Sequence, residues 1–156
     1  MLPRFFTSFR MTYNMETIFN KEFLDELLAK AAESTRLRQN YDLRTSEGDT
    51  SQRMLNALQP DTEVPIHRHE DTTETVVCLM GRLEEIIYEE VVEYVKEQTS
   101  GTEDVMRRKS FKEVARHLLC PAEGKYGIQI PKGAWHTIRV LEPSVIFEAK
   151  DGVYGK

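Results

Sequence analysis

The sequence has few cysteines, no long apolar run and no excess of basic residues. Cys78 and Cys120 are predicted to stay reduced, because a chain of 156 residues can bury a full core without a disulfide. No segment reaches the roughly 18 apolar residues of a membrane-spanning helix, and residues 1–10 lack the continuous apolar core of a signal peptide. These absences predict a cytoplasmic protein with no membrane partner.

The charge balance argues against nucleic acid as a partner. The chain has 26 acidic and 21 basic side chains, which give a formal net charge of −5. Proteins that bind a polyanion usually have an excess of basic residues. The content of 40% apolar and 30% charged residues is ordinary for a folded chain. We therefore expect a soluble globular protein whose partner is not nucleic acid.

The length predicts a single domain. Residues 1–19 are interpreted as an N-terminal tail, either disordered or an over-extended start, because two further methionines, Met11 and Met15, follow the first. Residues 20–156 are predicted to form the domain. Its one helix is expected at residues 20–33, where apolar side chains recur at helical spacing behind a capping asparagine.

After about residue 50 the sequence changes to short segments rich in β-branched and aromatic residues, the pattern of a β sandwich or barrel. The predicted strands are 53–59, 63–67, 74–80, 83–95, 113–120, 126–130, 136–141 and 144–149. Residues 97–112 are expected to form an exposed hairpin excursion that is polar and turn-like at first and then basic. Residues 110–117 allow two interpretations: a strand, which we favour, or a short helix opened by a capping box.

Two histidines and a glutamate lie close together in the stretch from Pro65 to Gly81. Alternate residues of an extended chain share a face, so His67 and His69 project the same way, as two imidazoles that bind one ion must. Glu74 begins the next predicted strand, and its carboxylate adds a hard oxygen ligand if that strand lies alongside. The stretch therefore predicts part of a metal site.

A third imidazole is available in the stretch from Ile130 to His136. Pro131 and Gly133 predict a tight turn there, which places His136 at the start of the following strand. An isolated H-x-H pair would be a weak signal, because a satisfied or surface histidine is commoner. Three of the four histidines, all but His117, nevertheless fall in two turn-and-strand settings that suit one cation.

These spacings resemble the two signatures of the cupin superfamily. The first, H-x-H, four residues, E, six residues, G, matches from His67 to Gly81, and the second, P-x-G-x-x-H, matches from Pro131 to His136. The sequence departs from the signatures at three positions. Asp61 replaces the upstream glycine of the first signature, and Lys125 and Val140 replace the leading glycine and the terminal asparagine of the second.

More narrowly, the chain resembles the WbuC-family cupin fold metalloproteins from about residue 20 to its end. Apart from the two histidine stretches, the matching segments are 37–43, 51–58, 81–83, 141–143 and 147–154. The resemblance implies an all-β fold, a cupin jelly-roll β-barrel (double-stranded β-helix) with an N-terminal α-helix. It also implies one divalent metal ion and a link to bacterial surface-polysaccharide metabolism.

The predicted metal ligands are His67, His69, Glu74 and His136. A six-coordinate ion would keep two open positions on this set, which does not choose among Fe, Mn, Ni and Zn. Three functions stay open. We favour a small metal-dependent enzyme acting on a polar or anionic carbohydrate-type metabolite; the others are a non-haem iron dioxygenase of the thiol or diol type and a non-catalytic ligand-binding or sensing protein.

Arginines accumulate between residues 36 and 68 of this otherwise acidic chain. For any one of them a solvated surface position is the ordinary expectation. Arg38 and Arg53 lie inside the family-like segments, and we predict that they contact a substrate carboxylate or phosphate. Lys150 is a further predicted substrate-binding residue. An exposed sheet edge also makes a homodimer a reasonable expectation.

Along the predicted strand 74–80, alternate residues share the face of Glu74. Val76, Cys78 and Met80 are therefore expected to face the barrel interior. Cys78 is interpreted as a small buried hydrophobe rather than a reactive thiol.

Overall fold

The structure is a computed structural model. It describes residues 16–99 and 102–152, with the backbone alone at 97–99 and 102–104. Most of the predicted N-terminal tail therefore lies outside the described residues. Within the described part of the chain, no helix has the length and apolar composition needed to cross a bilayer.

The predicted helix at residues 20–33 is confirmed. Helix α1 spans Lys21–Glu33. The side chain of Asn20 caps it by accepting a hydrogen bond from the backbone N–H of Phe23 at 2.9 Å. The buried face consists of the apolar residues that recur at three- and four-residue spacing: Leu24, Leu27, Leu28 and Ala31.

The rest of the fold is an antiparallel β structure. Within residues 16–99 and 102–152, six strands are present: β1 (Arg38–Asp42), β2 (Ser51–Leu58), β3 (Glu74–Thr99), β4 (Thr102–Leu119), β5 (Gly127–Ile130) and β6 (Trp135–Asp151), with a short 3-10 helix at Pro121–Glu123. They pair in the order β1-β2-β6-β3-β4, and β5 pairs with β3. This mainly β architecture with one helix near the N terminus confirms the predicted fold class.

Strands β3 and β6 are each continuous where the sequence predicted two strands. Their mutual register shifts near Gly81, which has a φ of 95°. A side chain at this position would collide with the carbonyl of Pro143 and with Ser144 on β6. The shift reverses the alternation, so Met80 packs with the residues under α1 and does not face the interior as Glu74 does. Our expectation for Met80 was wrong for this reason.

The structure confirms one of the remaining strand predictions and corrects others. Residues 110–117 belong to β4, which confirms the favoured strand and rules out the helix. The predicted turn at 97–104 is wrong in its extent, because β3 and β4 pair as far as Thr99 and Thr102. The predicted strand at 63–67 is reduced to one bridge between His67 and His136, and β1 was not predicted.

Two apolar clusters hold the fold together. The helix-facing cluster joins α1 to the outside of the sheet through Leu24, Leu27, Leu28, Ala31, Leu55, Ala57 and Val145. The interior cluster lies between the strands and contains Leu58, Val76, Cys78, Leu83, Leu119, Ile130, Val140 and Ile146. Cys78 and Cys120 are both free, as predicted, and both are buried, which was predicted for Cys78 alone.

Candidate metal centre

Backbone hydrogen bonds hold the two histidine stretches side by side. The N–H of His67 donates to the carbonyl of His136 at 3.0 Å, and the N–H of His136 donates back at 2.9 Å. The N–H of Gly133 donates to the carbonyl of His69 at 2.7 Å. Gly133 has a φ of 81°, in the left-handed region that glycine adopts readily, and this closes the turn before β6.

Glu74 is the first residue of β3 and lies between β5 and β6. This central position leaves it only 6% exposed. Its Oε2 lies 3.1 Å from Nε2 of His136 and 3.3 Å from Nε2 of His69. One donor atom from each of these residues and from His67 lies within 4.8 Å of the others. The structure therefore brings all four predicted ligands together.

Carbonyl groups fix which nitrogen of two imidazoles faces the site. Nδ1 of His136 lies 2.9 Å from the carbonyl oxygen of Ala134, and Nδ1 of His67 lies 2.9 Å from that of Pro65. Because a carbonyl only accepts, each Nδ1 carries a proton, and Nε2 of the neutral ring keeps its lone pair. In the neutral form of His136, this lone pair faces Oε2 of Glu74. Two acceptors this close need a proton or a cation between them.

The electrostatics of the site favour the protonation states that bind metal. Burial alone would raise the pKa of the Glu74 carboxyl, but when a proton rather than an ion lies between the groups, hydrogen bonds donated by His136 and His69 and the charges of His69 and Lys150 hold this pKa well below its usual range. Burial lowers the pKa of His67, which favours its neutral form. A carboxylate and neutral imidazoles are the forms that coordinate an ion.

The donor distances fit a divalent cation. Nitrogen and oxygen ligands lie about 2.0–2.2 Å from zinc, so neighbouring ligand atoms are about 3 Å apart and opposite ones at most about 4.3 Å. The two Glu74 distances match neighbouring positions, and the widest separation of up to 4.8 Å requires only a small closure. Imidazole and carboxylate ligands suit iron, manganese, nickel and zinc alike, so the set leaves the metal undetermined.

The four residues lie on the wall of a cavity of about 200 Å³ built by β1, β2, β3 and β6. Arg36, Arg38 and Lys150 also line it and bring positive charge. Lys150 is the cross-strand partner of Glu74, and its Nζ lies 3.2 Å from each ring nitrogen of His69. Nη1 of Arg38 donates to the carbonyl of Glu63 at 3.1 Å. Two of the three predicted substrate-binding residues are therefore in this cavity.

Arg53 is not brought to the cavity. It lies on β2 between Gln52 and Met54, which line the cavity, and neighbouring residues of a strand point to opposite faces. Its Nη2 lies 2.9 Å from the carboxylate of Asp49 and 3.3 Å from the carbonyl of Leu43. These contacts connect β2 to the preceding loop, so the role of Arg53 is structural.

Sequence reasoning missed five polar residues of the same cavity: Asn40, Gln52, Asn56, Glu85 and Glu148. Glu85 is fully buried. Burial raises its pKa well above the usual range, and the neighbouring carboxylates of Glu74 and Glu148 add to the effect. Burial, with help from Glu74, likewise raises the pKa of Glu148 to about 7. For Glu85, the sequence did contain a signal: this glutamate falls in the same alternation as apolar residues of β3.

Solved structures similar to this chain are cupin-domain proteins. The cupin domain of Cnp3 from Schizosaccharomyces pombe is 11% identical, with a TM-score of 0.45 over 74% of this chain and 64% of that one. KdgF from Halomonas sp. is 15% identical, with a TM-score of 0.46 over 74% and 78%. An RmlC-like cupin protein from Desulfovibrio desulfuricans is 12% identical, with a TM-score of 0.42 over 73% and 81%. The chain thus spans less than two thirds of the length of the Cnp3 domain.

A sequence comparison with curated proteins gives no match. The family model described as Domain of unknown function (DUF6016) matches residues 19–99, which is more than half of the 156 residues. The matched segment contains His67, His69 and Glu74 and ends before His136. The chain therefore belongs to the DUF6016 family.

Proposed function

We propose that this chain binds one divalent metal ion through His67, His69, Glu74 and His136 and acts with it as a small enzyme on a polar, carbohydrate-type metabolite. The observation that carries the proposal is the convergence of four possible ligand atoms within 4.8 Å of one another on the wall of a cavity, with Nε2 of His136 only 3.1 Å from Oε2 of Glu74. A bound ion would supply Lewis-acid chemistry, or redox chemistry if it is iron.

The residues of the cavity support a polar substrate. Arg38 and Lys150 line it and favour a carboxylate or phosphate group on the ligand. Gln52 and Glu85 are buried in its wall and favour hydroxyl groups. An acidic sugar or a sugar nucleotide has both kinds of group. The resemblance of the sequence to the WbuC cupins supports the same class and, more specifically, a role in bacterial surface-polysaccharide metabolism.

Metal analysis of the purified protein tests the first half of the proposal. Wild-type protein is expected to hold one equivalent of metal, and His67→Ala/His136→Ala none, because two of four ligands are lost. His117→Ala is the matched control, since His117 is the exposed histidine on β4, outside the ligand set. A double variant that still binds one equivalent with wild-type affinity would refute the assignment.

Product analysis tests the second half. Metal-loaded wild-type protein is incubated with sugar nucleotides and uronic acids, and mass spectrometry follows the substrates. A converted substrate, with no conversion by the double variant, is the expected result. Substrate-dependent oxygen uptake with ferrous iron would instead identify a dioxygenase. A ligand that binds and is recovered unchanged after long incubation would identify a binding or sensing protein.

A further inference from the structure

Buried acceptor oxygens converge on the cavity beside the candidate metal centre. Oε1 of Gln52, Oδ1 of Asn56 and both carboxyl oxygens of Glu85 are buried, and none has a hydrogen-bond partner among the described residues. All three residues line the same cavity. Buried polar atoms are nearly always paired in proteins, so this concentration in one place requires an explanation.

The neighbouring contacts fix the orientation of the two amides. Nε2 of Gln52 donates to the carbonyl of Gly152 at 3.0 Å, and because a carbonyl only accepts, the other end of the amide is the oxygen. Asn56 lowers the pKa of the Glu148 carboxyl as a hydrogen-bond donor does, and its Oδ1 is the atom without a partner among the described residues. Both amides therefore present acceptors.

Folding alone does not account for Glu85. Its side chain is fully buried, as is that of Leu83, which belongs to the interior cluster on the same strand. A leucine would satisfy the alternation of β3 without leaving polar atoms unpaired. A residue that costs folding free energy at the wall of a cavity is characteristic of a ligand contact.

The chemistry of the cavity selects the kind of ligand. Unpaired acceptors need donors, which means hydroxyl or ammonium groups. Arg36, Arg38 and Lys150 line the same cavity and oppose an ammonium ion. Burial raises the pKa of the Glu85 carboxyl well above its usual range, so this carboxyl attracts a cation less than an ordinary carboxylate does. Hydroxyl groups remain as the fitting donors.

The size of the cavity selects a ring-sized ligand. Its volume is about 200 Å³. A cavity of roughly 150 Å³ in another protein accommodates benzene, so there is room here for a six-membered ring with substituents.

We propose that Gln52, Asn56 and Glu85 form a subsite that binds the hydroxyl groups of a neutral, ring-sized polyol. The subsite rests on the proposed function, because it is the substrate side of the same cavity. Ring hydroxyls donate to the amide oxygens of Gln52 and Asn56 and to the carboxyl of Glu85, whose own O–H, when it is protonated, donates to a hydroxyl oxygen. Any anionic substituent of the natural substrate then lies on the side of the arginines and the metal ligands.

Methionine methyl signals test this subsite in the metal-loaded protein, with myo-inositol as the probe. Met54 lines the cavity, whereas Met80 packs under α1, so their labelled methyl groups report the site and an internal reference. We expect myo-inositol to shift the Met54 signal saturably and to leave Met80 unchanged. Glu85→Leu should weaken binding at least about tenfold, and Glu85→Gln, which keeps a neutral acceptor, should weaken it much less.

A second variant covers the case in which Glu85→Leu does not fold. Gln52→Leu removes another acceptor and should also weaken myo-inositol binding severalfold. The subsite is wrong if myo-inositol leaves Met54 unshifted at its solubility limit, or if the folded leucine variants bind it as tightly as wild type. Glucosamine binding in place of myo-inositol would overturn the preference for a neutral ligand.

Metal content measured on the same samples separates the two proposals. Wild-type protein that binds myo-inositol at Met54 but never holds metal would contradict the proposed function and leave the subsite intact. A protein that holds one equivalent of metal and ignores myo-inositol would contradict the subsite alone.

Discussion

The two faces of strand β2 differ in what they contribute. On the helix-facing side, Leu55 and Ala57 are fully buried in an apolar cluster under α1. On the other side, Gln52, Met54 and Asn56 line the cavity next to the candidate metal centre. The first face gains free energy from apolar burial, at about 25 cal/mol per Å². The second keeps polar atoms that cost free energy, so stability and chemistry are divided between opposite faces of one strand.

The largest expected effect is on the helix-facing side. Leu55→Ala removes a fully buried side chain from the cluster that joins α1 to the sheet. We expect the free energy of unfolding to fall by about 4 kcal/mol, because a buried leucine loses both its transfer free energy and its packing. Chemical denaturation measures this loss, and metal content should stay at the wild-type value.

The neighbouring residue supplies the control. Met54→Ala truncates a side chain of similar size on the opposite face of the same strand, where it borders the cavity and is only partly buried. We expect a clearly smaller loss of stability than for Leu55→Ala. Equal losses would contradict the division between the two faces.

The next effect concerns pH and the cavity side. The pKa of Glu148 is raised to about 7 in the folded protein by burial and by the Glu74 carboxylate. Above about pH 4.5 the unfolded state has released a proton that the folded state still holds. Glu148 therefore lowers the free energy of unfolding progressively as the pH rises to 7. The test compares the free energy of unfolding of metal-free Glu148→Gln with that of metal-free wild type. Between pH 4 and pH 8, this difference should change by about 3 kcal/mol in favour of the variant.

The free energy of unfolding is measured against pH for wild type and for Glu148→Gln. Subtracting one curve from the other isolates Glu148 from the histidines, which titrate in both proteins. Glu142→Gln is the matched control, because Glu142 is an exposed glutamate on the same strand. A flat difference curve for Glu148→Gln would mean that its carboxyl does not meet a low-dielectric environment.

The sequence predicted all four candidate ligands because their signals are local. His67 and His69 share a face by alternation, and the Pro-Gly turn places His136 at the mouth of a strand. Each inference needed only a few neighbouring residues, and the convergence of the two stretches followed from their resemblance to the cupin signatures. Even the departure at Asp61 has a simple reason, since it adopts the left-handed φ of 69° that the signature glycine would allow and that aspartate tolerates.

What the sequence could not predict depends on register between distant strands. The bulge at Gly81 resets the alternation of β3, so counting from Glu74 gives the wrong face beyond it and hides Glu85. Arg38 lines the cavity only because β1 pairs with β2, and β1 has too little apolar alternation to be predicted. Arg53 was predicted because it is an arginine inside a family-like segment, and the pairing of β2 with β6 is needed to show which face it occupies.

The smallest expected effect has the opposite sign to the first. Glu85→Leu replaces a fully buried carboxyl that has no hydrogen-bond partner among the described residues with an apolar group on the cavity side. We expect the free energy of unfolding to rise by about 2 kcal/mol at pH 7, because the cost of burying the unpaired polar group disappears. Thermal and chemical denaturation measure the change, with Glu84→Leu, the adjacent residue that forms an ion pair with Arg116 at 2.6 Å, as the control that should not gain stability. A loss of stability in Glu85→Leu would show that the carboxyl is satisfied in the folded protein, and the contrast between the two faces of the sheet would then not extend to β3.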